Sequence, residues 1–245
     1  MQRTILFWWA FGVVVLAVVY GAIGDQIDDF LGKGEQVADM MEQLGGRTTN
    51  MIDAYFAAIF GVMAIAVAGY AVQALLRMRG EESAGRLEPV LAIAVSRPRW
   101  MLAHIGLVTA GIVALQALTG AATGLAFGLV IGDVPEQVVS LTGAALVFVP
   151  AILVVAAATV LFFGGLPAWS TGLSWSVLAL CLVFGLLGPP LGLPQTVRNL
   201  SPFAHVPAVP AAEVTATPLV WLVVIAVVIG AVGVALFRRR DLTAS

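Results

Sequence analysis

Six apolar runs, each close to the length of a membrane-crossing helix, constrain this sequence more than any other feature. A helix needs about 20 apolar residues to cross the ~30 Å hydrocarbon core of a bilayer. The runs lie at about residues 5–23, 54–76, 101–131, 141–163, 172–187 and 219–237. Because 60% of all residues are hydrophobic and only 11% are charged, the sequence predicts an all-α polytopic membrane protein with six transmembrane helices.

The overall composition predicts one membrane domain over residues 1–245. The formal net charge is −2, so the sequence offers no basic surface for nucleic acid. The one cysteine, Cys181, lies inside an apolar run and has no partner for an internal disulfide. We therefore expect membrane lipid, and no nucleic acid, around this chain.

The basic residues are distributed unevenly between the two sides of the predicted bundle. Six spans place both termini on one side, together with nine of the twelve basic residues: Arg3, Arg77, Arg79, Arg86, Arg97, Arg99, Arg238, Arg239 and Arg240. The acidic segments 24–50 and 132–140 then share the other side. Because cytoplasmic loops carry the excess of Lys and Arg, we expect both termini in the cytoplasm.

The segment 77–100 is the largest cytoplasmic surface that this topology predicts. It holds five arginines and three glutamates, and an apolar stripe with helical spacing runs through residues 87–95. Such a stripe is typical of a short amphipathic helix. We expect a soluble partner to act on this coupling segment.

Two segments on the opposite side have different compositions. Residues 24–50 combine six acidic residues with apolar residues at helical spacing, which indicates an amphipathic helix along the membrane surface. Residues 188–218 hold seven of the twelve prolines, and no continuous helix tolerates that density. Since this segment is still apolar, we expect short broken helices that dip into the outer leaflet and are covered by protein.

The third run contains small and polar residues at helical spacing. Gly120, Gly124 and Gly128 recur every four residues, a pattern that lets two helices pack closely. Polar side chains within the spans either line a pathway or form hydrogen bonds between helices. The candidates are Gln73, Thr109, Gln116, Thr119 and Thr123.

The chain carries no motif for energising transport by itself. It lacks the phosphate-binding G-x-x-x-x-G-K-[ST] sequence, and the middle of each span lacks the charged residues that ion-coupled carriers use. We predict no catalytic residue, metal site or cofactor in this chain. An energised role therefore needs a partner.

The stretch EESAGRLEPVLAIAVSRPRW resembles the loop between the second and third spans of type-2 ABC exporter permeases, most closely those of actinobacterial antibiotic and multidrug exporters. The resemblance continues in GYAVQALLRMR, LSPFAHVPAVPAAEVTATP and FRRRDL, and so covers nearly the whole chain. It implies that the loop forms a coupling helix docked on a separate ATPase subunit. The matching positions are Glu81, Glu82, Arg86, Glu88, Pro89, Ser96 and Arg97.

The same resemblance implies a re-entrant extracellular cap over residues 188–218, including Pro189, Pro190, Pro202, Phe203 and His205. Many such permeases join two six-span halves, and this chain resembles the second half, so we expect it to pair with itself or with a related half. The family implies export of an amphipathic or hydrophobic compound across the bacterial cytoplasmic membrane. ATP and Mg²⁺ would bind the partner ATPase.

Two other functions are compatible with parts of the sequence. Glu81, Glu82 and Arg86 fit the E-E-x-x-x-R motif of intramembrane CAAX-type proteases, and His104 loosely fits the second motif of that family. The motif, however, lies in a surface loop, and the other histidine, His205, is predicted on the opposite side of the membrane. The remaining alternative is an accessory membrane subunit that binds an ATPase without carrying substrate.

Overall fold

The computed structural model describes residues 2–24, 51–83 and 97–239, and its regular secondary structure in these ranges is helical. The helices are α1 (Gln2–Ile23), α2 (Met51–Ser83), α3 (Arg97–Ile131), α4 (Val134–Leu146), α5 (Val149–Gly165), α6 (Ser170–Cys181), α7 (Gln195–Arg198) and α8 (Ala216–Arg239). A π-helical turn, Leu182–Leu186, extends α6, and a 3-10 turn, Pro202–His205, follows α7. The all-α class is thus confirmed for the described residues.

Five helical segments in the described ranges are long and apolar enough to cross a bilayer. They are Thr4–Ile23, Met51–Gly80, Pro98–Ile131, Val134–Gly165 and Ala216–Arg239. The fifth predicted span, 172–187, coincides except for its last residue with part of the shorter apolar helix Ser170–Leu186. At about 1.5 Å per residue, this helix reaches roughly 26 Å, somewhat less than the ~30 Å hydrocarbon core.

Helix α2 forms the centre of the bundle. In its most apolar stretch 72% of the residues are buried, compared with 17% in α1 and in α8. Hydrogen bonds join α2 to α1 near both ends of the pair: Tyr55 Oη donates to the Tyr20 carbonyl oxygen at 3.0 Å, and Trp9 Nε1 donates to Gln73 Oε1 at 2.7 Å. Helices α3, α5 and α6 pack around the same core helix.

The prediction that residues 132–140 form an acidic loop is wrong, because α4 already begins at Val134. Only Gly132 and Asp133 separate α3 from α4, and Gly132 has φ +82°, which glycine adopts at little cost. Proline in the first turn and Glu136 beside it both favour a helix start. Helices α3 and α4 therefore form a tight antiparallel hairpin.

Pro150 interrupts the fourth apolar run, as expected for proline inside a helical segment. Helix α4 ends at Leu146 and α5 begins at Val149, with Pro150 in the first turn of α5. Proline has no backbone N–H and its ring clashes with the carbonyl group four residues earlier. The chain therefore leaves the helix for two residues and continues with α5.

The proline-rich segment 188–218 contains only short helical pieces before α8 begins, as expected. Within it, Ser201 and Phe203 are buried, and Ser201 Oγ donates to the Cys181 carbonyl oxygen at 3.3 Å. Leu191 and Leu200 are exposed instead. The segment therefore packs against the π-helical end of α6 through part of its apolar surface. The predicted amphipathic segment 24–50 lies outside the described residues beyond Gly24.

Candidate functional site

Five of the basic side chains that the structure describes gather at one end of the bundle, which we call the basic end. They belong to the end of α2 (Arg77, Arg79), the start of α3 (Arg99) and the end of α8 (Arg238, Arg239). Ring contacts join these helix ends, since Phe237 lies 6.4 Å from Trp100 and 5.4 Å from Phe163 between ring centroids. The coupling segment 77–100 starts and ends here.

Both helices that flank the coupling segment extend into it. Helix α2 continues past the predicted span end at Leu76 to Ser83, and α3 starts at Arg97. Of the predicted coupling residues, Glu81 and Glu82 lie in the last turn of α2 and Arg97 is the first residue of α3. The others lie outside the described residues: Arg86, Glu88, Pro89 and Ser96. Two long helices therefore lead from this segment into the core.

Arg79 joins the end of α2 to the turn between α5 and α6. Its Nη1 donates to Thr171 Oγ1 at 2.7 Å, and its Nη2 donates to the Ala168 carbonyl oxygen at 3.2 Å. A planar guanidinium that makes two bonds fixes both distance and orientation. Nothing in the sequence identified this contact, because its partners lie about 90 residues away. We call it the Arg79 clasp.

The glycine ladder of α3 lies directly against α4. A methyl group on Gly124 would lie 2.6 Å from the Gln137 carbonyl oxygen, and one on Gly128 would lie 2.6 Å from Val134 Cα. On Gly120 it would lie 2.5 Å from the Leu141 carbonyl oxygen. Distances this short leave no room for any side chain. The two backbones approach so closely because the ladder consists of glycine.

Gln116 lies on the same α3 face, one turn before the ladder. Its side chain is buried, and Nε2 donates to the Ala145 carbonyl oxygen of α4 at 3.1 Å. Its Oε1 is buried and has no hydrogen-bond partner among the described residues. In this conformation Gln116 therefore joins two helices.

The other polar residues proposed for a pathway are held in different ways. The buried Thr119 and Thr123 hydroxyl groups donate to backbone carbonyl groups one turn earlier in α3. Gln73 is exposed and accepts the bond from Trp9. Thr109 is half-buried and lines an apolar cleft between α3, α5 and α8. Thr119 and Thr123 are therefore neighbours in α3, whereas Gln73 and Thr109 lie in other surroundings.

The sequence did not predict the second close helix contact, which is between α5 and α8. Helix α8 packs along α5 where Gly164 meets the backbone of Gly233. A methyl group on Gly233 would lie 2.8 Å from Leu161 Cα. The spacing of small residues in α8, with Gly230 and Gly233 three apart, was the available signal. The fourth predicted span, 141–163, ended one residue before Gly164.

Two of the predicted cap residues, Pro189 and Phe203, line a small pocket at the end of the bundle opposite the basic end. Its volume is about 210 Å³, and its lining includes Gly61, Phe148, Pro189, Arg198 and Phe203. Among the described residues, Nε of Arg198 is buried without a hydrogen-bond partner. Of the other predicted cap residues, Pro190 is exposed and Pro202 is half-buried.

The two histidines lie at opposite ends of the bundle. His104 is near the start of α3, and its ring centroid lies 4.7 Å from that of Trp100. His205 is in the cap, where Nε2 lies 2.9 Å from the Asn199 carbonyl oxygen. They cannot share one metal site within this chain. The arrangement therefore gives no support to the protease motif.

These features define an integral membrane protein whose central helices lead into a basic coupling segment. The family described as "Multidrug efflux system permease Rv1217c, C-terminal domain" matches residues 1–238. The multidrug efflux system permease protein Rv1217c of Mycobacterium tuberculosis is 36% identical over 241 residues, which make up 98% of this chain and 44% of that protein. The chain therefore spans less than half the length of this curated relative.

The chain belongs to the family of this C-terminal permease domain. The match covers almost every residue and includes all six apolar runs. The resemblance to ABC-type multidrug exporter permeases, drawn from the coupling segment and the cap, is thus confirmed.

We expect replacement of Gln116 by leucine to change the free energy of unfolding by less than about 1 kcal/mol. The substitution removes one interhelical hydrogen bond, worth ~0.6 kcal/mol on average in membrane proteins, and also removes the unpaired Oε1. Thermal unfolding of the detergent-solubilised protein measures this change. Loss of export by a variant with normal stability would instead indicate that Gln116 contacts the substrate in another conformation.

Proposed function

We propose that this chain is the membrane-spanning subunit of an ATP-driven exporter in the bacterial cytoplasmic membrane. The observation that carries the proposal is its similarity, over 98% of its length, to a multidrug efflux system permease. In this proposal two halves form the pathway, and each half binds one copy of a separate ATPase. ATP and Mg²⁺ bind the ATPase, and both termini of this chain lie in the cytoplasm.

The arrangement at the basic end supports a mechanical role for the coupling segment. Helix α2 is the most buried of the long helices and reaches without a break from the core to Ser83. Closure of the ATPases would push the coupling segment, and the stiff helices α2 and α3 would carry the displacement into the bundle. Packed helices respond to such forces by discrete shifts rather than by gradual bending.

The Arg79 clasp would transmit the same displacement to α6. Because Arg79 contacts both Ala168 and Thr171, a movement of the end of α2 pulls on the turn between α5 and α6. Helix α6 is short, and its π-helical end packs against the cap. A path of direct contacts thus runs from the coupling segment to the opposite end of the bundle.

The walls of the bundle support a proposal for the substrate class. The described spans expose apolar surface and carry no ionised group in their middle, so an ion or a sugar would meet no polar site. An amphipathic or hydrophobic compound, such as an antibiotic, drug or lipid-like molecule, fits these walls best. It would leave through a route between the two halves and under the cap.

Reconstitution with the cognate ATPase tests the proposal. Proteoliposomes that contain both proteins should move a hydrophobic fluorescent dye only when ATP and Mg²⁺ are supplied, and the dye should stimulate ATP hydrolysis. Hydrolysis that no dye or drug stimulates, together with an absence of transport, would contradict a permease and favour an accessory subunit.

The Arg79 clasp leads to a prediction about individual residues. We expect Arg79→Gln and Thr171→Val each to reduce export several-fold while ATP hydrolysis continues, because each removes the same charge-assisted bond. The double variant should lose little more than the Arg79 variant, since the two residues act as a pair. Thr171→Ser keeps the hydroxyl acceptor and should export normally. Additive losses would show that the two residues act independently.

A further inference from the structure

A cleft in the described part of the chain lies between α3, α5 and α8. Its volume is about 640 Å³, within the range of roughly 300–1,000 Å³ typical of sites for small molecules. Among its lining residues only Thr109 and Arg238 have polar side chains. A ligand in this cleft therefore needs an apolar body and one anionic group near Arg238.

Small side chains create the cleft. Ala156 and Ala157 of α5 face Gly230 and Ala231 of α8 across it. A methyl group on Gly230 would lie 3.9 Å from Ala157 Cβ, an ordinary van der Waals distance. Next to the cleft, by contrast, Gly233 leaves no room for a side chain. Helices α5 and α8 thus touch at Gly233. Near Gly230 and Ala231 they are far enough apart to admit an apolar chain.

The cleft opens sideways, toward the lipid, rather than into the bundle. Leu102 and Val227 line it and are 54% and 64% exposed. Exposed apolar side chains on membrane-spanning helices contact acyl chains. A molecule can therefore enter the cleft from the bilayer.

Charge and length indicate which bilayer component fits. The cleft follows α8 from Val223 to Arg238, which is about 22 Å at ~1.5 Å per residue. One leaflet contributes roughly 15 Å of hydrocarbon, so the cleft is long enough for an acyl chain of one leaflet. Arg238 is exposed and has no hydrogen-bond or ion-pair partner among the described residues. A guanidinium binds phosphate through two parallel hydrogen bonds.

We infer that this cleft binds an anionic phospholipid of the leaflet at the basic end, with the phosphate at Arg238 and an acyl chain along α8. The inference requires only that the chain is folded in a membrane. It is independent of the proposed transport function, so each can fail without the other.

Lipid retention during purification tests the inference. The chain is reconstituted in nanodiscs of phosphatidylcholine and phosphatidylglycerol, extracted in mild detergent, and analysed by native mass spectrometry. The wild-type chain should keep phosphatidylglycerol in preference to phosphatidylcholine. Arg238→Gln should reduce this preference about fivefold, the effect of one basic residue at a membrane surface. Arg239→Gln, the matched control, removes an exposed arginine outside the cleft and should change it little.

A second pair of variants tests the apolar part of the site. Ala231→Phe fills the cleft and should lower retention of both lipids, whereas Val232→Phe places the same ring on an exposed position outside the cleft and should have no effect. Equal effects of Arg238→Gln and Arg239→Gln would overturn the inference, as would unchanged retention in Ala231→Phe. Recovery of the chain with a second copy of itself and without lipid would also overturn it.

Discussion

Replacement of Gly124 by alanine is expected to lower the free energy of unfolding by about 1–3 kcal/mol, the usual cost of overpacking a close-packed interior. The added methyl group would lie 2.6 Å from the Gln137 carbonyl oxygen, so α3 and α4 have to separate. The opposing atoms belong to backbone and cannot rotate away. Thermal unfolding and size-exclusion chromatography in detergent measure the loss of folded protein.

The matched control is the same substitution at Gly106 in α3 or Gly143 in α4. No atom lies within 4 Å of a methyl group at either position. Alanine also has a higher helix propensity than glycine, by about 1 kcal/mol, so both controls should be neutral or stabilising. If Gly124→Ala were as stable as the controls, the close approach of α3 and α4 would be incorrect.

Replacement of Glu82, Arg86 and Glu88 together by alanine is expected to uncouple ATP hydrolysis from export. Charged groups paired at an interface cost roughly 2–5 kcal/mol each when one partner is truncated, so export should fall at least tenfold. Membrane insertion should remain normal because none of the three lies in an apolar span. Dye export and ATP hydrolysis are measured in the same proteoliposomes.

The control for this variant removes charge at the other end of the bundle. Glu136 and Glu213 are exposed there, and replacing both by alanine should leave export and hydrolysis coupled. Unchanged export by the triple variant would mean that the coupling segment is not where the ATPase acts. The proposed mechanism would then be wrong even though the family assignment would stand.

Hydropathy alone predicted most of the fold, because a bilayer forces each apolar run into a helix. The start of α4 was missed because Pro135 and Glu136 lower the local hydropathy, although both are typical of the first turn of a helix. The π-helical end of α6 was also missed. It packs against Ser201, twenty residues from Cys181, and no local pattern reports such a contact.

The site was less predictable than the fold. The glycine ladder was recognised from its four-residue spacing, but its partner helix α4 had been taken for a loop over part of its length. The Arg79 clasp and the cleft at Arg238 depend on residues brought together from distant parts of the chain. The positive-inside rule accounts for basic residues at the ends of spans in general. No feature of the sequence therefore distinguished Arg79 and Arg238 from the other arginines.

The most direct test of the proposed function is to isolate the tagged chain from native membranes in detergent and identify the proteins bound to it by mass spectrometry. An exporter subunit should bring with it an ATPase that contains a G-x-x-x-x-G-K-[ST] motif, and the triple variant of the coupling segment should lose it. A partner permease half, or a second copy of the chain, should remain in both preparations. Recovery of the folded wild-type chain without any ATPase would contradict the exporter.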